Sequence, residues 1–176
     1  HFLKTCHERG LLYEGRDVMP WCPRCSTGLS EHEIVTEGYL EINHPGLFVK
    51  FPINDSSGES LLIWTTTPWT LSSNVAAAVN VEMDYVKVLQ NDEYFYLAKS
   101  RVSILKGEYE IVKEIKGEAL VGLEYSGPFD ELPAQKGVLH RVVGWDEVSE
   151  GEGTGIVHTA PGAGKEDFIL GKEEGL

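Results

Sequence analysis

Three consecutive hydroxyls, Thr65-Thr66-Thr67, follow the apolar run Leu61-Leu62-Ile63-Trp64 and precede Pro68-Trp69-Thr70-Leu71. A row of neutral hydroxyls at the mouth of an apolar wall can hold a small molecule and orient a water without a metal or a strong nucleophile. Thr67 precedes proline, which drives its backbone toward the extended region. Pro68 suits the first position of a helix, so Thr67 is the expected N-cap. The start of such a helix presents amide N–H groups without intrahelical partners, donors suited to a carbonyl oxygen that is becoming negative. β-Branched threonines also favour strands, so the row taken alone fits a plain strand end as well as a site.

A second group lies near the C-terminus, Gly153-Thr154-Gly155-Ile156-Val157-His158-Thr159-Ala160-Pro161, followed by Gly162-Ala163-Gly164-Lys165-Glu166-Asp167-Phe168. It reads as turn, buried strand, glycine-rich loop and helix start. His158 falls near the strand's end and Asp167 in the first helical turn, so both can face one cavity. Asp167 could grip a ligand ammonium through a charge-assisted hydrogen bond, although a carboxylate in a first turn is also favoured by the helix dipole. His158 could form a pocket wall or move a proton. A phosphate-binding loop is excluded here, because it needs glycine at 159 and Ser or Thr at 166, where the chain has Thr159 and Glu166. Cys22 and Cys25 have the spacing of a zinc knuckle. Cys6, His7 and His32 are the nearby partners and are irregularly spaced, so zinc held by this chain alone is not expected.

These groups need elements to carry them. Residues 1–10 read as a helix end stopped by Gly10. From about residue 38 the pattern becomes short strands, at 39–42, 47–52, 60–66, 75–80, 85–90, 94–97, 109–115, 138–143 and 155–159, separated by turn residues. Helices are expected at 99–106 and 164–174. Leu61 to Trp64 is continuous apolar sequence, as in a strand buried on both faces. The fold class is therefore a β-rich α+β domain, barrel-like, with many short strands and peripheral helices.

The chain has 176 residues, of which 41% are hydrophobic, enough for one well-buried domain with a short appendage. It opens at His1 without an initiator methionine and is expected to be a piece of a longer protein. No apolar run approaches the roughly 20 residues of a membrane-spanning helix. The net charge is −13, from 15 Lys and Arg against 28 Asp and Glu. That balance repels a phosphate backbone, so nucleic acid would have to be delivered mainly by something else. Three cysteines, an odd number, argue against a disulfide framework and fit a reducing cytoplasm.

Together the motifs resemble the editing domain of isoleucyl-tRNA synthetases, the connective-peptide insertion of a class I aminoacyl-tRNA synthetase. The resemblance rests on Trp64-Thr65-Thr66-Thr67-Pro68-Trp69-Thr70-Leu71, Asn74-Val75-Ala76-Ala77-Ala78-Val79, the 153–161 segment and Glu166-Asp167-Phe168. Trp21-Cys22-Pro23-Arg24-Cys25 with Leu29-Ser30-Glu31-His32-Glu33 is similar to the family's lead-in from its catalytic core. Valyl and leucyl relatives place Thr-Thr-Arg-Pro where this chain has Thr-Thr-Thr-Pro. The aminoacylation signatures His-Ile-Gly-His and Lys-Met-Ser-Lys-Ser are absent from the chain.

The resemblance implies a lead-in over 1–36 and an editing domain over 37–176. It implies hydrolysis of the ester of valine mischarged onto isoleucine tRNA, and of valyl adenylate by extension. The alternatives are an editing domain of valyl type, or a module that binds the tRNA end without turnover. A second site is needed because one methylene gives only roughly 10–200-fold discrimination, a range set in part by isoleucyl-tRNA synthetase itself. By the same resemblance Asp167 anchors the substrate ammonium, and His158 excludes the extra methylene. Thr65, Thr66 and Thr67 hold the ester and orient water, while Trp69 and Asn74 help place the terminal adenosine. The implied partners are the 3′ end of isoleucine tRNA and the catalytic domain of the parent synthetase, in the cytoplasm, with no membrane. No cofactor is implied for this chain, and Cys22 and Cys25 could join a zinc site completed elsewhere in the parent enzyme.

Overall fold

A computed structural model describes residues 1–35, 40–151 and 153–176 and divides into two units, His1–Leu40 and Glu41–Leu176. The expected boundary at 36/37 lies outside the described residues. In the first unit, helix α1 (Phe2–Glu8) ends before Gly10, whose φ of +68° suits a residue without a Cβ. A hairpin follows, β1 (Trp21–Cys22) against β2 (Thr27–Gly28). Its turn is closed by the Cys25 N–H, which donates to Cys22 Sγ at 3.3 Å. Hydrogen bonds from the Cys25 backbone and side chain lower the Cys22 thiol pKa. The single turn α2 (Glu31–Glu33) is held by a capping box, in which Ser30 N–H donates to Glu33 Oε2 at 2.8 Å and Glu33 N–H to Ser30 Oγ at 3.4 Å.

The second unit carries the remaining strands: β3 (Leu47–Pro52), β4 (Glu59–Thr65), β5 (Ala76–Val79), β6 (Asp84–Gln90), β7 (Glu93–Ala98), β8 (Glu110–Lys116), β9 (Arg141–Gly144) and β10 (Ile156–Thr159). A mixed five-stranded sheet has the order β3-β4-β7-β6-β8, with β4 and β7 parallel and its other pairs antiparallel. A three-stranded sheet has the order β10-β5-β9. The unit is therefore β-rich α+β, as the sequence predicts, but among the described residues no barrel closes. The sheets share a core instead: β10 packs against β4 without a hydrogen-bonded ladder between them, so β10 remains an edge of its own sheet.

The apolar pattern explains this packing. Along β4, Leu61 and Ile63 enter one core with Phe51, Ala77, Val79, Val142 and Ile156 from the two sheets and with Tyr125 from the connection before β9. Leu62 points the other way and packs with Val86, Val88, Phe95 and Leu97, the cluster on which the 3-10 helix Lys99–Ile104 rests through Val102 and Ile104. Strand β5 is Ala-Ala-Ala-Val, completely buried, small enough to lie between two layers. On its far side Ala76 and Ala78 meet Val143, Val148 and Leu170, the last from helix α3 (Lys165–Glu174).

One glycine is fixed by geometry. Gly155 has φ +73°, and a Cβ there would lie 2.4 Å from that of Ala98. Only glycine lets β10 start this close to the end of β7.

Two expected elements differ. Residues 40–42 form no strand, and Tyr39 lies outside the described residues. The helix expected over 99–106 is a 3-10 turn that stops at Ile104, because Leu105 returns to the extended region at φ −70° and ψ 137°. Among the described residues no helix is long and apolar enough to cross a membrane.

Candidate active site

β4 ends at Thr65, and the chain turns through Thr67, at φ −120° and ψ 63°, into the 3-10 helix Pro68–Ser73 with Pro68 at its first position. Thr67 is the N-cap residue, as its place before proline predicts, but its side chain makes no capping hydrogen bond. The hydroxyls bond to one another instead. Thr67 N–H donates to Thr65 Oγ1 at 3.0 Å, and the Thr65 and Thr67 hydroxyls lie 3.3 Å apart. Thr67 Oγ1 is 3.2 Å from Thr70 Oγ1, which donates to the Thr67 carbonyl at 2.7 Å. Thr65 is buried, whereas Thr66 and Thr67 are exposed at the rim.

This row forms one side of a cleft of about 470 Å³, whose lining also includes Trp69, Trp145, Glu147, His158 and Asp167. The volume suits a small-molecule ligand. β10 brings in His158 and the start of α3 brings in Asp167. Asp167 Oδ2 accepts from the Ala160 N–H at 2.7 Å, tying the helix start back to the end of β10. Burial raises the Asp167 carboxyl pKa, the Ala160 N–H pulls it partly back, and Glu166 adds to the rise. A half-buried carboxylate with one oxygen on a backbone donor is suited to receive a cation on the other.

His158 is buried and has both ring nitrogens engaged. Nε2 is 2.8 Å from Thr70 Oγ1 and Nδ1 is 3.2 Å from Asn74 Nδ2. Burial pushes its pKa down to about 4, so the ring is neutral at pH 7. A neutral imidazole with both nitrogens occupied is a wall of the cleft rather than a base.

The shift makes a stability prediction. In the unfolded chain the ring titrates near its ordinary 6.5, while the folded chain resists protonation down to about 4. The contribution is complete above pH 6.5 and is lost as pH falls toward 4. Asp167 acts in the opposite sense, since its raised pKa favours the folded form as the pH drops through it. Urea unfolding at pH 5 and pH 7 should differ by about 2 kcal/mol from His158. His158→Leu should remove most of that difference, and an equal pH dependence in the variant would contradict the burial argument.

Of the sequence-derived site residues, Thr65, Thr66, Thr67, Trp69, His158 and Asp167 line the one cleft. Asn74 does not. It is completely buried behind His158, and its amide is spent on Ala76, His158 and Tyr125. The expectation that it contacts the adenosine is corrected on that ground. Sequence reasoning missed Thr70, whose signal is its position three residues after Thr67 across a Pro-initiated turn, and it missed Tyr125, Trp145 and Glu147, which no motif marks. Among the described residues no group of three or more His, Cys, Asp or Glu is arranged to hold a metal ion.

No model of a known protein family matches the chain. Among solved structures it is similar to the GlLeuRS-CP1 crystal structure, with TM-score 0.62 and 17% identity over 73% of this chain and 59% of that one. It is also similar to the P. knowlesi cytosolic leucyl-tRNA synthetase editing domain, with TM-score 0.57 and 14% identity over 74% of this chain and 62% of that one. At those identities the likeness establishes the fold alone, one shared with a leucyl-tRNA synthetase editing domain.

The sequence relations are closer. The chain is 47% identical over 174 residues to the isoleucine–tRNA ligase of Clostridium acetobutylicum and 50% identical over 176 residues to that of Clostridium novyi, in each case across 99% of this chain and 17% of the relative. It is 46% identical over 177 residues to isoleucine–tRNA ligase 2 of Bacillus cereus strain ZK / E33L, across 100% of this chain and 17% of that protein. Over nearly its whole length the chain matches one segment of the isoleucine–tRNA ligases, a segment spanning 17% of the length of these relatives.

Proposed function

We propose that the cleft hydrolyses the ester joining valine to the 3′ end of isoleucine tRNA, and valyl adenylate as well, as the proofreading site of an isoleucine–tRNA ligase. One observation carries this reading: a carboxylate, a neutral imidazole wall and a hydroxyl row converge on a single cleft. The similarity to a segment of isoleucine–tRNA ligases and the fold shared with editing domains support it.

In this reading Asp167 Oδ1 receives the α-ammonium of valine, while Oδ2 stays on the Ala160 amide. The valine side chain lies against His158, and the row of Thr65, Thr66 and Thr67 holds the ester and a water. Attack by that water forms a new C–O bond and a tetrahedral oxyanion, for which the Thr65 hydroxyl and the Trp69 amide are the available donors. Collapse breaks the ester bond. The water's proton ends on the departing ribose oxygen, leaving free valine and an intact tRNA end. An aminoacyl ester is already activated, so positioning and oxyanion stabilisation can suffice without a protein nucleophile. Trp69 is 64% exposed, and its indole offers a face on which the terminal adenine can stack. The partners would be the tRNA 3′ end and the synthetase's catalytic domain, in the cytoplasm. Cys22 and Cys25 would supply two thiolates to a zinc site whose remaining ligands come from elsewhere in the enzyme.

The test is deacylation of tRNA charged with valine, threonine or isoleucine by the chain. The proposal expects valine to be released fastest and isoleucine to be spared. Faster loss of threonine would point to editing of valyl type, and no turnover of any ester would leave a module that only binds the tRNA end.

A further inference from the structure

Thr70 holds Nε2 of His158 from within the cleft, but the residues that hold Nδ1 lie behind the wall. We propose that Tyr125 is a positioning residue of this site: through the Asn74 amide it locks His158 in the tautomer protonated on Nε2, and with it the orientation of the Thr70 hydroxyl.

The hydrogen bonds allow only one direction. The Ala76 carbonyl can only accept, so the Asn74 atom 2.9 Å from it is Nδ2. Oδ1 then faces Tyr125, whose hydroxyl donates to it at 2.7 Å. The second hydrogen on Nδ2 points at His158 Nδ1, 3.2 Å away, which must therefore carry the lone pair. The ring proton sits on Nε2 and is donated to Thr70 Oγ1 at 2.8 Å, and Thr70 passes its own hydrogen to the Thr67 carbonyl at 2.7 Å. The relay thus runs from Tyr125 through Asn74 and His158 to Thr70, every donor with an acceptor. The other tautomer would aim two hydrogens at each other between Nδ1 and Nδ2.

Tyr125 does not touch the cleft. It is 2% exposed and stacks on Phe51 with ring centroids 5.0 Å apart, next to an isolated bridge with Ile53. The core therefore sets the position of its hydroxyl independently of any ligand. Removing that hydroxyl leaves the completely buried Asn74 Oδ1 without its donor. The Ala76 carbonyl forbids the amide from turning over, so Oδ1 regains a donor only if the whole amide shifts within its plane, which draws Nδ2 away from His158 Nδ1 and loosens the hold on its tautomer.

The experiment pairs Tyr125→Phe with the wild type, both labelled with ¹⁵N at histidine, and reads the His158 ring nitrogens by long-range proton–nitrogen correlation at pH 7. The wild type is expected to show one tautomer, protonated at Nε2, and Tyr125→Phe a mixture. Asn74→Asp, whose carboxylate can only accept, is expected to move the proton to Nδ1.

The functional consequence rests on the editing reading. Tyr125→Phe should lower the preference for valyl over isoleucyl ester about tenfold, the size of one buried hydrogen bond, with KM for the valyl ester unchanged because Asp167 lies outside the relay. A purely structural Tyr125 would move neither the ring signals nor the preference, since phenylalanine keeps the stacking. Wild-type His158 protonated at Nδ1, or an unchanged tautomer in Tyr125→Phe, overturns the proposal. The nitrogen spectra need no turnover, so failure to cleave any ester would count against the editing reading while the relay is judged separately.

Discussion

Asp167→Asn is expected to reduce kcat/KM for valyl ester hydrolysis about a hundredfold while leaving the fold intact. The asparagine amide can still accept from the Ala160 N–H through its oxygen, so the tie between α3 and β10 survives. What is lost is the negative charge. A charge-assisted hydrogen bond to an ammonium contributes roughly 1.5–3 kcal/mol, or about ten- to more than a hundredfold. The high end applies here, because burial already raises the carboxyl's pKa and weakens the water that competes for it. Asp167→Ala should be worse, since it also frees the Ala160 amide. Deacylation rates of valyl-tRNA measure both variants, and an Asp167→Asn rate within threefold of wild type would remove the acid from the mechanism.

His158→Ala should let isoleucine in. The ring fills the side of the cleft with both nitrogens bonded, so it cannot yield to one more methylene by rotating without breaking a hydrogen bond at each end. A size gate of one methylene amounts to roughly 1–3 kcal/mol, so the ratio of isoleucyl to valyl ester cleavage should rise about 10–200-fold. The substitution also leaves Thr70 and Asn74 without their shared partner, at a stability cost of about 1–3 kcal/mol. A thermal melt separates that cost from the change in selectivity. An unchanged ratio in a folded variant would show that something other than His158 sets the limit.

Much of this site is readable from residue order, and physical reasons mark where the reading stops. Strands β4 to β7 follow from local signals, such as the apolar run Leu61-Leu62-Ile63 and the turn residues that bracket it. Asp167 and His158 are legible because a strand–loop–helix pattern forces both toward the same end of β10. Barrel closure is not legible. It depends on whether β10 bonds to β4 or merely packs on it, and apolar side chains serve either arrangement. Asn74 shows a second limit: the resemblance implies a ligand contact for it, and only the all-buried Ala-Ala-Ala-Val strand after it reveals that it faces inward. Tyr125 and Thr70 show a third. Their roles come from hydrogen bonds to Asn74 and His158, residues 51 and 88 positions away along the chain, and no spacing rule encodes such pairs. The 3-10 form of the turns at Pro68–Ser73 and Lys99–Ile104 is likewise invisible to propensity, because length and exit angle are decided by what each turn must reach.

The central claim is that one cavity takes the valine amine on an acid and the valine side chain on a neutral imidazole. A crystal structure of the chain with a non-hydrolysable, amide-linked valyl-adenosine tests it directly. The account predicts the ammonium in hydrogen-bond contact with Asp167, the two methyl groups against the His158 ring and the carbonyl facing the threonine row. A ligand seated with its amine away from Asp167, or bound outside this cleft, would contradict it.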